Sequence, residues 1–229
     1  MKLKLRTKCP KPFQNGEIMS KTYLFGIVAM AAVVVASNVL VQFLYGEWLT
    51  YGAFTYPIAF LITDLMNRLY GPQIARRIVF VGFVTGVICS LIGTQVIIEI
   101  DKDFYVPAVT TRIALASGSA FLLAQFLDIF IFTKLKDFSW WHAPFFSSIV
   151  GGALDTIIFF SFSFSLSLTI FLGSDHNTEF MNQGVPILGF GNVSSLWVSL
   201  AIADYFVKLV LALVFLIPFR VLITRLGNK

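Results

Sequence analysis

Four aspartates, Asp64, Asp128, Asp155 and Asp204, stand inside stretches otherwise rich in Leu, Ile, Val, Phe and Ala. Two bases, Arg112 and Lys208, accompany them, and Arg68 lies at the margin of one stretch. A charge at the centre of a membrane helix costs roughly 2.5–3.5 kcal/mol, so four uncompensated acids would cost on the order of 10 kcal/mol. That rivals the stability of a whole domain. The acids must therefore face one another, a base, a wet cavity or a ligand. Asp204 and Lys208 are four apart, as are Asp64 and Arg68, the spacing of an ion pair along one helix face. Such pairs brace helices, or exchange partners as a pathway opens, and Arg68 can also snorkel to the surface. Asp128 and Asp155 have no base within a turn of their own helix.

Those two acids extend polar stripes. Ser117, Phe121, Gln125 and Asp128 recur at helical spacing, as do Ser148, Gly152, Asp155 and Phe159. Asn38 and Gln42, four apart, follow Ser37. Carboxylates, amides and aromatic rings on facing stripes suit a flat heterocycle with several N–H donors. A carboxylate accepts two parallel N–H bonds from a guanine-like edge, an amide reads its carbonyl, and rings stack on its faces. Such a site rejects analogues lacking those donors, because its own buried acceptors go unsatisfied. The same residues also fit a ligand-free network between helices or a proton relay.

Other chemistries find little support. The two histidines, His142 and His176, fall at a span margin and in a loop, and no HExxH, paired-Cys, Gly-x-Ser-x-Gly or P-loop pattern occurs. No catalytic residue, metal site or cofactor is expected, and the chain is not read as an enzyme. Cys9 and Cys89 do not make a disulfide framework. The net charge of +5 does not signal nucleic-acid binding, because the basic residues follow membrane topology instead.

The positioning elements are membrane helices. The chain is 57% hydrophobic and 13% charged, with a mean hydropathy of +0.83, against about a quarter charged in soluble domains. Apolar runs long enough to span recur throughout, and the short alternating strands of outer-membrane barrels are absent. The fold expected is all-α and integral to the membrane, with six transmembrane helices near 20–44, 51–69, 77–99, 108–133, 143–170 and 196–220. A basic cytoplasmic leader over 1–19 precedes one six-helix transmembrane domain over 20–225, and a cleaved signal peptide is not expected. With the amino terminus inside, 14 of the 17 basic residues lie in inner segments, while Glu47, Glu99, Asp101, Asp103, Asp175 and Glu179 face outward beside Lys102. The positive-inside rule thus puts both termini in the cytoplasm. Trp48, Trp140, Trp141 and Trp197 fall at span ends, and Pro218 near a helix end. Pro57 lies within the second span and is expected to kink it. The run at 161–167 is expected to stay helical, with Ser161 and Ser165 on one side. The loop from 173 to 195 reads either as a flap over a cavity or as an ordinary exposed loop.

The segments "ASNVLVQF", "LTYGAFTYPIAFLITDLMNRLYGPQIARRIVF", "RIALASGSAFLLAQFLDIFIF", "WWHAPFFSSIVGGALDTIIFF" and "DYFVKLVLALVFLIP" resemble the queuosine precursor transporter family. The resemblance runs from about residue 30 to 220 in order and spacing. It implies a six-helix protein of the bacterial inner membrane that imports 7-deazaguanine bases such as preQ0 and preQ1. Carried over by motif, Asn38, Gln42, Gln125, Asp128 and Asp155 are the expected substrate-binding set. Asp64, Arg68, Arg112, Asp204 and Lys208 are expected to gate the pathway or to form structural ion pairs. An asparagine often stands in the family where this chain has Gly152, which would shift preference towards another deazapurine, such as queuine. The partners implied are the deazapurine and the bilayer; a homo-oligomer is compatible, and direct nucleic-acid binding is not expected. The alternative is a substrate-binding subunit of an energy-coupling-factor vitamin transporter, which needs an ATPase module. A small-residue face at Ala32 and Ala36 would serve that docking or plain helix packing. A ligand-free scaffold is the third reading.

Overall fold

A computed structural model describes residues 16–41, 43–45, 49–101 and 104–226. Gln42, Glu47, Trp48, Lys102, Asp103, Lys229 and the leader before residue 16, on which expectations fell, lie outside them. Among the described residues, five helices are long and apolar enough to cross a membrane. They are α1 (Gly16–Leu40), α4 (Pro72–Gln95), α5 (Thr111–Leu135), α6 (His142–Phe164) and α8 (Leu196–Leu226). The remaining helices are α2 (Gly52–Thr55), α3 (Ile58–Tyr70) and α7 (Thr169–Leu172).

The segment expected to be the second span is broken. Helix α2 stops at Thr55, and α3 begins after Pro57, which has no N–H to continue the ladder. The break leaves Tyr56 between two helix ends. At the other end of α3, Gly71 adopts φ 86°, a conformation that favours glycine, and Pro72 opens α4 at its first turn.

Several expected boundaries shift. Helix α4 ends at Gln95, and a hairpin follows, β3 (Ile97–Asp101) with β4 (Phe104–Pro107), where helix was expected to 99. Its β-branched run satisfies a pleated pair better than another helical turn. Helix α6 ends at Phe164, so Ser165 is extended and does not share a helix face with Ser161. Helix α8 passes through Pro218 to Leu226, longer than expected. The loop before α8 is ordered, with a 3-10 turn over His176–Asn182 and a hairpin of β5 (Gly184–Pro186) and β6 (Val193–Ser195). Asn182 donates to the Phe164 carbonyl at 3.0 Å, and Ser199 accepts from the Leu188 N–H at 2.7 Å. A further short pair, β1 (Leu44–Tyr45) with β2 (Leu49–Thr50), precedes α2.

Helix α5 packs most extensively on α6, α6 on α8, and α4 on both α1 and α5; α3 lies among α1, α4 and α5 and touches α8. One apolar core gathers Met30, Val34, Ile62, Met66, Ile78, Val79, Phe121 and Ile129. A second gathers Leu65, Phe132, Ala143 and Phe219 nearer the other face of α3. The outer surface is apolar too, with Phe25, Phe80, Leu91, Phe130, Ile157, Val210 and Ile217 exposed. Water-facing helices are polar on that side; helices apolar all round suit lipid.

Candidate functional site

The polar residues inside the bundle fall into two clusters. The first joins α6, α8 and the break between α2 and α3. Lys208 Nζ donates to Asp155 Oδ2 at 2.8 Å, Asp204 Oδ2 at 2.6 Å and Thr156 Oγ1 at 2.9 Å. Thr156 in turn donates to Asp204 Oδ2 at 2.8 Å, and Tyr56 Oη donates to Asp155 Oδ1 at 3.1 Å. The ammonium also lies 5.8 Å from the centre of the Tyr56 ring. Asp155 and Lys208 are buried, Asp204 slightly less so. Three donors of the lysine thus meet three acceptors, which offsets the desolvation that makes buried charge costly.

The second cluster lies between α3, α5 and α6. Asp64 and Asp128 are neighbours there, with Ser147 within reach of both. Ser147 donates to Asp64 Oδ1 at 3.3 Å and Ser148 to Oδ2 at 3.4 Å, both long bonds. Thr63 donates to Gln125 Oε1 at 2.6 Å. Gln125 and Asp128 are completely buried, yet Gln125 Nε2 and both Asp128 carboxylate oxygens have no hydrogen-bond partner among the described residues. Most buried polar atoms are satisfied, so one free donor and two free acceptors a turn apart on α5 set this cluster apart. A pocket reaches it from α8, lined by Leu61, Asp64, Pro144, Ser148, Ala212, Phe215, Leu216 and Phe219. It has room for about one water molecule and none for a heterocycle. This conformation is closed around the cluster.

The ten residues singled out from the sequence separate on this frame. Gln125, Asp128 and Asp64 come together, and so do Asp155, Asp204 and Lys208. The expected Asp204–Lys208 pair forms, and it also captures Asp155 from across the helix interface. The expected Asp64–Arg68 pair does not form. Asp64 turns to the α6 serines, and Arg68 Nη1 reaches the Lys136 carbonyl at 2.7 Å instead. Asn67 donates to the Ile129 carbonyl and to Thr133, both at 3.3 Å. So the three polar residues of this turn serve three different partners. Arg112 makes no ion pair among the described residues. It clamps the end of α6, through Phe162 O at 2.7 Å, Ser165 O at 2.6 Å and Gly173 O at 3.2 Å. Asn38 donates back to the Val34 carbonyl of its own helix at 2.9 Å.

Four contributors were not singled out: Tyr56, Thr63, Ser147 and Thr156. Thr156 follows Asp155 directly, and Tyr56 precedes the proline that breaks the span. Either adjacency would have flagged its residue. Thr63 precedes Asp64 directly, an adjacency of the same kind; Ser147 carries no comparable signal, since single hydroxyls are common in membrane helices.

A bundle of apolar helices around two buried polar clusters is the build of a polytopic membrane protein. The family model described as "Putative vitamin uptake transporter" matches residues 50–223. Over 218 residues the chain is 30% identical to the "Queuosine precursor transporter" of Escherichia coli (strain K12), with 86% of each chain covered. It is also 30% identical over 175 residues to the "Probable queuosine precursor transporter" of Haemophilus influenzae, covering 74% of this chain and 66% of that one. No solved structure matches it. The chain belongs to the queuosine precursor transporter family.

Proposed function

We propose that this protein imports 7-deazaguanine precursors of queuosine across the bacterial inner membrane, and that Gln125 and Asp128 bind the base. The observation that carries the reading is the set of unmet groups on α5: one amide donor and two carboxylate acceptors, all buried. A guanine-type edge offers the complement, a carbonyl acceptor beside two N–H donors. Family membership supports the same substrate class, since the E. coli relative is named for queuosine precursors. The small pocket means the base enters when α8 parts from α3 and α6, which fits a carrier that alternates access. The apolar exterior supports the bilayer as a partner.

Six crossings follow if α2 and α3 count together as one. From Gly52 to Tyr70 they run about 28 Å at 1.5 Å per residue, close to the ~30 Å hydrocarbon thickness. Basic residues then gather at one end of the bundle. Arg68 touches the Lys136 carbonyl, and Arg220 stacks 4.8 Å over Trp140. The positive-inside rule assigns that end, and both termini, to the cytoplasm.

The test is rescue of tRNA modification. In bacterial cells that cannot make the precursor, the wild-type chain restores queuosine at low external base. Asp128→Asn and Gln125→Leu abolish rescue while membrane abundance stays normal. Rescue by both variants at wild-type levels overturns the assignment of the base to α5.

A further inference from the structure

We propose that Asp64 and Asp128 together hold one proton, and that this proton crosses the membrane with the base; the proposal rests on the transport reading above. Three observations carry it. Asp128 is wholly buried, Ser147, which donates to Asp64, lies beside it, and neither Asp128 oxygen has a well-formed hydrogen bond among the described residues. Asp64 is supplied unequally, with two serine hydroxyls donating to it. Finally, Asp64 lines a small pocket with Pro144, Ser148 and Phe219, and Phe219 is next in the chain to Arg220 at the basic end of the bundle.

A buried carboxylate without donors is strongly disfavoured, whereas a carboxylic acid brings its own O–H donor. With the proton on Asp128, its O–H points to Asp64, and the serines satisfy the Asp64 charge. When the base arrives, its two N–H donors need Asp128 as an acceptor. The proton then passes to Asp64, and only O–H bonds break and form. Base and proton are held side by side, and the pocket lets the proton leave from Asp64 towards the cytoplasmic end. Compensation from other groups is lacking. From α8, Lys208 is committed to Asp155 and Asp204. On α3, Arg68 is committed to Lys136 O, and between α2 and α3 Tyr56 to Asp155. Helices α1 and α4, packed behind, carry Lys21, Arg76 and Arg77 exposed, and Tyr23 in the apolar core. From α6, Ser147 and Ser148 donate to Asp64, and Gly151 packs beside Asp128.

Purified full-length protein in liposomes, with preQ0 as the probe, tests this. An acid-outside gradient of one pH unit at zero membrane potential is expected to accumulate the base about tenfold, since one pH unit equals 1.36 kcal/mol. In lightly buffered medium, uptake should raise the external pH by one proton per base. Asp64→Asn, which keeps the size and the serine contacts, is expected to lose the gradient response and the external pH rise. If that variant transports nothing, the wild-type proton count decides by itself. Uptake and exchange in the wild type without proton movement, or driven by a sodium gradient instead, overturn this inference alone. A wild type showing neither uptake nor exchange overturns the transport reading and this inference with it.

Discussion

Lys208 on α8 and Asp155 on α6 form an ion pair with 2.8 Å between Nζ and Oδ2, in a part of the bundle closed to water. The same ammonium holds Asp204 at 2.6 Å, so one cation serves two carboxylates. Tyr56 and Thr156 supply the remaining donors of the cluster. This arrangement ties the two helices that flank the pocket to the broken second span. It does so with polar contacts that can be remade rather than with apolar packing alone. A carrier that must open and close gains from such a joint, because hydrogen-bonded groups change partner without losing satisfaction.

Removing the cation should therefore cost more than removing an acid. Lys208→Met leaves Asp155 and Asp204 buried without their base, and breaking a buried pair from one side costs about 3–5 kcal/mol. The expected outcome is a sharply lower melting temperature in detergent and reduced membrane abundance. The triple variant Lys208→Met/Asp155→Asn/Asp204→Asn, which removes the cation together with both acids it serves, should recover most of the stability. A Lys208→Met protein as stable as wild type would show that the cluster is not held by its charges.

Gly151 and Gly152 are adjacent yet should respond in opposite ways. A Cβ on Gly151 would lie 2.9 Å from the Phe60 ring, 3.2 Å from Asp128 Cβ and 3.3 Å from the Ala124 carbonyl. Small residues let membrane helices approach this closely. Gly151→Ala is expected to destabilise by about 1–3 kcal/mol through overpacking. A Cβ on Gly152 meets only Lys208 side-chain carbons at 3.6 and 3.7 Å, which is ordinary contact. Gly152→Ala should be neutral or stabilising by up to about 1 kcal/mol, given the helix propensity of alanine. Thermal unfolding of both variants in the same detergent checks the contrast.

The helical membrane class was legible because a bilayer demands long apolar runs, and five of the six expected spans are helices of that kind among the described residues. The kink at Pro57 was legible from the missing N–H alone. Pairings between helices were less so. Spacing along one helix predicted Asp204–Lys208 correctly and Asp64–Arg68 wrongly, since both pairs look identical at i, i+4. The difference lies across the interface: α6 offers Ser147 and Ser148 to Asp64, and α5 offers the Lys136 carbonyl to Arg68. Asp155 looked free for the same reason, because its base sits on α8, 53 residues away. Arg112 binds carbonyls freed where α6 ends at Phe164, an ending hidden while the serine-rich run read as more helix.

Tyr56 offers a milder perturbation of the first cluster. Tyr56→Phe keeps the ring near Lys208 and removes only the hydroxyl that bonds Asp155 at 3.1 Å. A hydrogen bond to a charged group contributes about 1.5–3 kcal/mol, and the Lys208 ion pair remains. Stability should fall by an amount in that range, with the fold retained by circular dichroism. If Tyr56 also helps hold the closed state, the loss should appear as faster exchange of cysteine reagents at a residue placed in the pocket, such as Ser148→Cys. Unchanged stability and labelling would make the hydroxyl a bystander.

Arg112 should act on the opposite end of α6 and independently of the acids. Its guanidinium joins two carbonyls left open where α6 stops, those of Phe162 and Ser165, to the carbonyl of Gly173 just past α7. Helix ends otherwise leave such acceptors unsatisfied, and here the arginine is itself buried. Arg112→Ala is expected to destabilise by about 3 kcal/mol or more, since several charge-assisted bonds are lost together. Arg112→Lys should recover little, because a single ammonium cannot span three carbonyls that a planar fork reaches at once. The effect should be local. Amide exchange is expected to speed up over residues 162–173 in both variants while the middle of α5, at Gln125 and Asp128, stays protected. Equal deprotection at both places would mean that Arg112 supports the whole bundle rather than one helix end.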